Sequence, residues 1–155
     1  MGIKQKEFLD ALTGLRYVCL DTALFIYHIG RINPFHALTA PLLKDIADKN
    51  LSGCISVISA YEFIIKPLTE NKPQEVADFE ELIFVLLELD VYETTYPIIK
   101  RAGGLSARHN IRLPDALIAA TALHHNCDAL ITNDKDLKKL EIEGIKVIAL
   151  LDYVD

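Results

Sequence analysis

Residues 113–137, LPDALIAATALHHNCDALITNDKDL, contain a helical pattern followed by a strand pattern, and acidic residues stand close to both. The stretch from Leu113 to about Asn126 is apolar at most positions, which predicts a helix that is buried on several sides. Pro114 suits the first position of that helix. ALIT (129–132) then predicts a short buried strand. A helix that leads into a buried strand is typical of a layered α/β fold, so similar units are expected along the chain.

Four further apolar runs predict strands, at 17–20, 53–57, 84–89 and 146–150. The run at 84–89 could also extend the helix before it, and we favour the strand. Helices are predicted between these runs, including one that ends at Pro67 and one from about Val91 to His109. Strands that alternate with helices predict an α/β fold with a central, mainly parallel sheet. A chain of 155 residues fits a single domain, here residues 1–155.

The composition limits the class of protein. With 51% hydrophobic and 25% charged residues, the chain has the balance of an ordinary soluble globular protein. No apolar run approaches the roughly 20 residues that span a bilayer, and the first residues lack the apolar core of a signal peptide. These features predict a cytoplasmic protein without a membrane partner. The net charge of −6 argues against a general nucleic-acid coat, but nucleic acid remains possible as a substrate if the acids surround a cation.

Four acidic residues stand close to the predicted strands. Asp21 directly follows the first strand, and Glu62 lies one turn into the helix after the second. Asp134 follows the strand at 129–132, and Asp115 opens the helix that leads into that strand. Ligands of open α/β sheets bind at the carboxyl ends of the strands. Chain topology could therefore bring all four acids to one edge of the sheet.

Each of these acids also has a purely structural interpretation. Asp21 could cap the helix that follows it, and Glu62 could form a capping box with Ser59. Asp115 in the first turn of a helix suits the helix dipole, and Asp134 could start a short helix. Each structural role is individually the more common one. Four such residues together, all near strand ends, favour a shared site.

Four stretches together resemble the PIN domain family, and especially the VapC-like toxin ribonucleases. They occur in the family's order and span nearly the whole chain: YVCLDTALFIY (17–27), ISAYEF (58–63), LPDALIAATAL (113–123) and LITNDKDL (130–137). The resemblance implies a three-layer PIN-like fold, with helices on both faces of the sheet. Two positions depart from the family pattern, because Ala23 replaces a polar residue and Leu137 replaces a common Phe.

The resemblance also implies an active site. The family's acidic quartet maps onto Asp21, Glu62, Asp115 and Asp134, and such proteins use these acids to hold Mg²⁺ or Mn²⁺ and cleave RNA. Oxygen ligands suit these ions, and no His/Cys constellation argues for zinc. Asp136 could replace Asp134, which we prefer because it is nearer the strand end. The side chains expected to support the ligands are Thr22, Thr132, Asn133 and Asp136.

Basic residues flank two of the acids. Arg108 and Arg112 precede Asp115, and Lys135 and Lys138 follow Asp134. These four cations are candidates for contacts with RNA phosphates, which position a strand without reading its bases. An equally favoured interpretation is a solvated helix face, with cations near a helix C-terminus.

The resemblance implies a metal-dependent endoribonuclease of single-stranded RNA, acting as the toxin of a toxin–antitoxin pair. It also implies an antitoxin partner and a homodimer, to which the aliphatic stretch from Val76 to Leu89 is the preferred contributor; burial of that stretch against the sheet is the alternative. Other functions stay open. They are a housekeeping RNA-processing PIN nuclease, a Mg²⁺-binding phospho-acceptor signalling domain and a catalytically silent PIN scaffold.

Overall fold

The computed structural model describes residues 2–155, which form one parallel sheet with helices on both faces. The strands are β1 (Tyr17–Leu20), β2 (Ser52–Ser56), β3 (Asp90–Tyr92), β4 (Ala129–Thr132) and β5 (Lys146–Ala149). Their order across the sheet is β3-β2-β1-β4-β5, and every neighbouring pair is parallel. The central strand β1 therefore ends between β2 and β4, and the carboxyl ends of all the strands lie at one edge.

The helices are α1 (Gln5–Leu12), α2 (Thr22–Ile29), α3 (His36–Ala47), α4 (Val57–Thr69), α5 (Pro73–Glu80), α6 (Tyr96–His109) and α7 (Leu113–His124). A π-helical segment, Glu81–Leu86, continues α5. Short 3₁₀ segments follow the last two strands, Lys135–Glu143 after β4 and Leu150–Tyr153 after β5. Within the described part of the chain, no helix is long and apolar enough to cross a membrane.

Two apolar cores lie on opposite faces of the sheet. Side chains alternate along a strand, so Val18 and Leu20 of β1 join one core while Cys19 joins the other. The first core packs under α1, α2, α3 and α5, and the second packs under α6 and α7. The predicted three-layer α/β fold with a central parallel sheet is thus confirmed.

The prediction of a strand at 84–89 is wrong. The segment Glu81–Leu86 is helical, and the third strand is Asp90–Tyr92. The apolar side chains in this region do not alternate between buried and exposed as a strand on one core requires. The buried ones are Leu82, Ile83 and Leu87, and the exposed ones are Phe84, Val85 and Leu86. The apolar run therefore supplies both the buried face and an exposed apolar face of one helical segment.

Three smaller predictions are also corrected. Helix α4 continues past the buried Pro67 to Thr69, so the proline lies within the last turn of the helix and does not end it. The residue that caps α4 is Ser56, whose Oγ accepts from the backbone N–H of Ile58, so the capping box with Ser59 is wrong. The helix expected from Val91 begins instead at Tyr96, because β3 occupies the preceding residues.

Candidate active site

Asp21 stands at the junction of β1, β4 and α2. Its Oδ1 accepts a hydrogen bond from the backbone N–H of Thr22 at 2.7 Å, so Asp21 caps α2 as expected. Its Oδ2 accepts from Oγ1 of Thr132, at the end of β4, also at 2.7 Å. Asp21 therefore both caps α2 and lies at the carboxyl edge of the sheet.

Thr132 connects Asp21 to Asp134. The buried Thr132 hydroxyl donates to Asp21 and accepts from the backbone N–H of Asp134 at 3.1 Å. Asp134 in turn caps the 3₁₀ segment, since its Oδ1 accepts from the backbone N–H of Asp136 at 2.9 Å. Asp136 pairs with Lys139 at 2.8 Å, whereas no ion pair within residues 2–155 involves Asp134. This difference favours Asp134 over Asp136 as the fourth acid of the site.

Glu62 is held next to Asp21 through Thr22. The Thr22 hydroxyl donates to Oε1 of Glu62 at 2.9 Å, and Thr22 itself is buried at the start of α2. Glu62 lies on the exposed side of α4, which follows β2. Asp21 thus lies between β1 and α2, and Glu62 lies in the helix that follows the neighbouring strand β2.

Asp115 lies in the first turn of α7, where it is only partly exposed. Nη2 of Arg112 is 3.5 Å from its Oδ2, and the arginine side chain is 84% exposed. Burial raises the pKa of Asp115, the nearby Arg112 lowers it, and the charges of Asp134 and Asp136 raise it further. The pKa remains above its ordinary value.

The pKa of Asp21 is also above its ordinary range, mainly because the carboxyl is buried. Hydrogen bonds from Thr132 and Thr22 oppose this effect, and the charges of Asp115 and Glu62 reinforce it. Asp115 and Glu62 therefore lie near enough to Asp21 for their charges to act on it, and Asp134 and Asp136 act on Asp115 in the same way. Hydrogen bonds link Asp21 to Glu62 through Thr22 and to the backbone of Asp134 through Thr132, while Asp115 stands at the start of α7.

The donor chemistry of this edge fits a hard divalent cation. Among the residues that the structure describes, no three His, Cys, Asp or Glu side chains are arranged to hold a metal ion. The gathered donors are nevertheless all carboxylate oxygens, the type that Mg²⁺ and Mn²⁺ prefer. Carboxylates repel one another without a counter-charge, and the raised pKa values of Asp21 and Asp115 reflect that repulsion in part.

The expected supporting side chains divide into two groups. Thr22 and Thr132 contact the acids directly. Asn133 instead donates from Nδ2 to the hydroxyl of Tyr27 at 2.6 Å, and Asp136 pairs with a lysine. Asn133 therefore connects this edge to α2 rather than to a carboxylate.

All four candidate RNA-binding cations have carboxylate partners within the chain. Nε of Arg108 is 2.9 Å from Glu143, which also contacts His109. Arg112 lies beside Asp115 at the rim of the site. The Arg112 side chain is the more exposed of the two arginines, at 84% against 55% for Arg108.

Asp152 is a residue of this edge that sequence reasoning missed. It follows β5, and both Lys135 and Lys138 pair with its carboxylate. Its position just after a predicted strand was the one available signal. The pairing itself joins segments that are separated by another strand, so no local pattern shows it.

A family model, the PIN domain, matches residues 18–143 of this chain. The chain belongs to the PIN domain family. The matched range includes all four acids and both of the threonines that hold them. The resemblance found in the sequence is therefore confirmed for the family.

Solved structures show the same PIN fold. VapBC2 from Rickettsia felis, bound to a DNA fragment from its promoter, is 21% identical with a TM-score of 0.67. That match covers 86% of this chain and 98% of the other. FitAcB from Neisseria gonorrhoeae is 21% identical with a TM-score of 0.63, and the match covers 86% of this chain and 98% of the FitAcB chain. DNA-bound VapBC from Salmonella typhimurium is 22% identical with a TM-score of 0.63, over 88% and 98% of the two chains. No curated protein matches this chain.

Proposed function

We propose that this PIN protein is a metal-dependent endoribonuclease that cleaves single-stranded RNA in the cytoplasm, as the toxin of a toxin–antitoxin pair. The observation that carries the proposal is the hydrogen-bonded connection of Asp21 with Glu62 and Asp134 through Thr22 and Thr132, with Asp115 near enough for its charge to act on Asp21. Membership of the PIN domain family and the likeness to VapBC structures support it.

In this proposal the four acids hold Mg²⁺ or Mn²⁺. When bound, such an ion stabilises negative charge on a phosphodiester and makes a coordinated water more acidic. Thr132 fixes Oδ2 of Asp21 and the backbone of Asp134, and Thr22 fixes Glu62. In the same proposal, the exposed Arg112 beside Asp115 contacts a phosphate of the strand.

The test is cleavage of a mixed pool of unstructured RNA by the purified protein. We expect cleavage with Mg²⁺ or Mn²⁺, no cleavage in EDTA, and recovery when excess metal is returned, because the ion supplies the charge stabilisation and the activated water that the carboxylates alone cannot. Annealing the same RNA into duplexes should protect it. Cleavage that persists in EDTA, or a preference for duplex RNA, would contradict the proposal.

The proposed antitoxin has a suitable groove beside the site. Two adjoining cavities share Ile29 and Asp78. The first lies between α2, α4 and α5 and reaches Glu62, and the second lies between α2, α3, α5 and the π-helical segment. The apolar lining of the first includes Ile26 and Phe63, and its charged lining includes Glu62 and Asp78 as well as two lysines, of which Lys72 pairs with Glu70 and Glu75. An apolar segment with a basic side chain would complement this groove, and that side chain would reach the acids. The VapBC likeness supports such a partner.

We also propose a homodimer formed through the exposed face of the π-helical segment. Phe84, Val85 and Leu86 are 55%, 63% and 54% exposed, which is unusual for three consecutive large apolar residues. We expect Val85→Asp to weaken dimerisation at least about a hundredfold, because an unpaired charge would be buried in the contact.

Sedimentation at micromolar concentration measures this effect. Ile142→Asp is the matched control, because Ile142 is 84% exposed and lies on the 3₁₀ segment after β4, away from the proposed contact. The control should remain dimeric. A wild-type monomer, or a Val85→Asp protein that still dimerises, would exclude this interface and leave the active-site proposal intact.

A further inference from the structure

Asp152 lies at the same edge of the sheet as the acidic site. It belongs to the 3₁₀ segment Leu150–Tyr153, directly after β5. Because β5 is parallel to β4, the segments that leave these two strands begin at the same edge. The segment that leaves β4 begins with Asp134 and carries Lys135 and Lys138. Asp152 and these lysines are therefore neighbours of the site without belonging to the acidic quartet.

Two lysines converge on this one carboxylate. Nζ of Lys135 is 3.3 Å from Oδ1 of Asp152, and Nζ of Lys138 contacts Oδ2. Residues three apart in a 3₁₀ helix lie on the same face, which explains why both reach a single point. Burial would raise the pKa of Asp152, but hydrogen bonds from Lys138 and Lys135 outweigh it and leave the pKa below its ordinary value. The two ammonium groups thus surround an anion.

Another anion can replace the Asp152 carboxylate between the two lysines at a low cost in free energy. The side chains of Lys135 and Lys138 are 54% and 43% exposed, and ion pairs at such positions contribute little to stability. A phosphodiester resembles a carboxylate in presenting a pair of oxygens that share one negative charge. Each ammonium group has several N–H donors, so it can form new hydrogen bonds as the old one breaks.

We propose that Lys135 and Lys138 form a subsite for a phosphodiester of the RNA strand, which the carboxylate of Asp152 occupies while no strand is bound. This inference rests on the proposed ribonuclease function. Asp152 then sets the affinity for RNA, because every strand must displace it from both lysines. The subsite adjoins Asp134, so a phosphate held there belongs to a nucleotide close to the one that reaches the acids.

Removing the Asp152 charge should strengthen RNA binding. In an Asp115→Asn background, which is expected to prevent turnover, we expect Asp152→Asn to raise the affinity for a fluorescein-labelled oligouridine about fivefold, since two weak ion pairs no longer compete. The slope of log affinity against log salt should steepen by about 0.7, because one more net positive charge faces the strand. Fluorescence anisotropy across about 50–200 mM NaCl measures both quantities.

Three comparisons make the test specific. Asp155→Asn changes the net charge equally but releases only Lys4, so it should leave binding unchanged. Asp152→Glu keeps an anion for the lysines and should bind like the parent. In a Lys135→Gln/Lys138→Gln background, Asp152→Asn should have no effect.

The outcomes are distinguishable. If Asp152→Asn binds no more tightly than the parent, or gains affinity even without the two lysines, the subsite is excluded while the ribonuclease proposal stands. If no variant binds RNA and the wild type does not cleave it with Mg²⁺ or Mn²⁺, both proposals fail. Circular dichroism of each variant separates loss of binding from loss of fold.

Discussion

Asp115→Asn should lower the kcat/KM of RNA cleavage at least about a hundredfold, while the protein stays folded. The amide keeps the shape of the side chain but removes the charge that a divalent ion needs. Losing even a residue that only supports a metal ligand commonly reduces activity by about 10–100-fold, so losing a proposed ligand should cost more. Initial rates with a labelled single-stranded RNA at saturating Mn²⁺ provide the measurement.

The same substitution should not destabilise the metal-free protein. The pKa of Asp115 is raised in the folded state, so the folded protein favours the protonated form more than the unfolded chain does. The ionised carboxylate therefore opposes folding above its folded-state pKa, and this penalty disappears as the pH falls below the ordinary pKa of aspartate. A neutral Asn removes the penalty at pH 7, and a thermal melt in EDTA should show an equal or higher Tm.

Asp45→Asn is the matched control for Asp115→Asn. Asp45 is a partly exposed aspartate of α3, which packs on one face of the sheet, whereas α7 packs on the other. The control should cleave RNA like the wild type. Full activity of Asp115→Asn would remove Asp115 from the mechanism, and a large loss of stability would reassign it to a structural role.

Thr132→Val should reduce activity about 10–100-fold and raise the Mn²⁺ concentration needed for half-maximal cleavage. Valine matches threonine in shape, but it cannot donate to Oδ2 of Asp21 or accept from the backbone N–H of Asp134. Both acids lose the contact that sets their relative position. An unsatisfied polar group at this buried place should also cost about 1–3 kcal/mol of stability.

Thr121→Val is a close control for this variant. Thr121 is also fully buried, but its hydroxyl donates at 2.7 Å to the carbonyl of Leu117 within α7 and touches none of the four acids. Thr121→Val should therefore keep its metal dependence, and Thr132→Ser should recover much of the lost activity because it restores the hydroxyl. Equal losses in Thr132→Val and Thr121→Val would indicate a packing effect alone.

The layered fold and the positions of the four acids relative to the strands and helices were predictable because their signals are local. Short apolar runs such as those of β1 and β4 identify buried strands, and an acid just past a strand end identifies the edge where ligands bind. Helix α7 was predictable because nearly every residue from Ala116 onward is apolar. The assignment of Asp21 to the site also needed the family resemblance, since capping of α2 explains its position equally well.

The errors arose where an apolar face is left exposed, or where a residue's partners lie far from it in the sequence. Residues 84–89 look like a strand because the exposed Phe84, Val85 and Leu86 are as apolar as the buried residues around them. Periodicity cannot distinguish a buried face from an exposed apolar one. Asp152 was missed for a different reason. Its ion pairs with Lys135 and Lys138 join two segments that are separated in the sequence by β5.

The sheet order has a consequence for synthesis on the ribosome. Strand β1 is made early, but its partner β4 comes late, and the Asp21–Thr132 hydrogen bond spans 111 residues. A nascent chain that has not yet exposed Asp134 outside the ribosome cannot bring the carboxylates together. Domains fold as their segments emerge during translation, and here the four acids can lie together only after β4 and Asp134 have emerged. Under the proposed function, a chain cut short before Asp134 therefore lacks part of the active site.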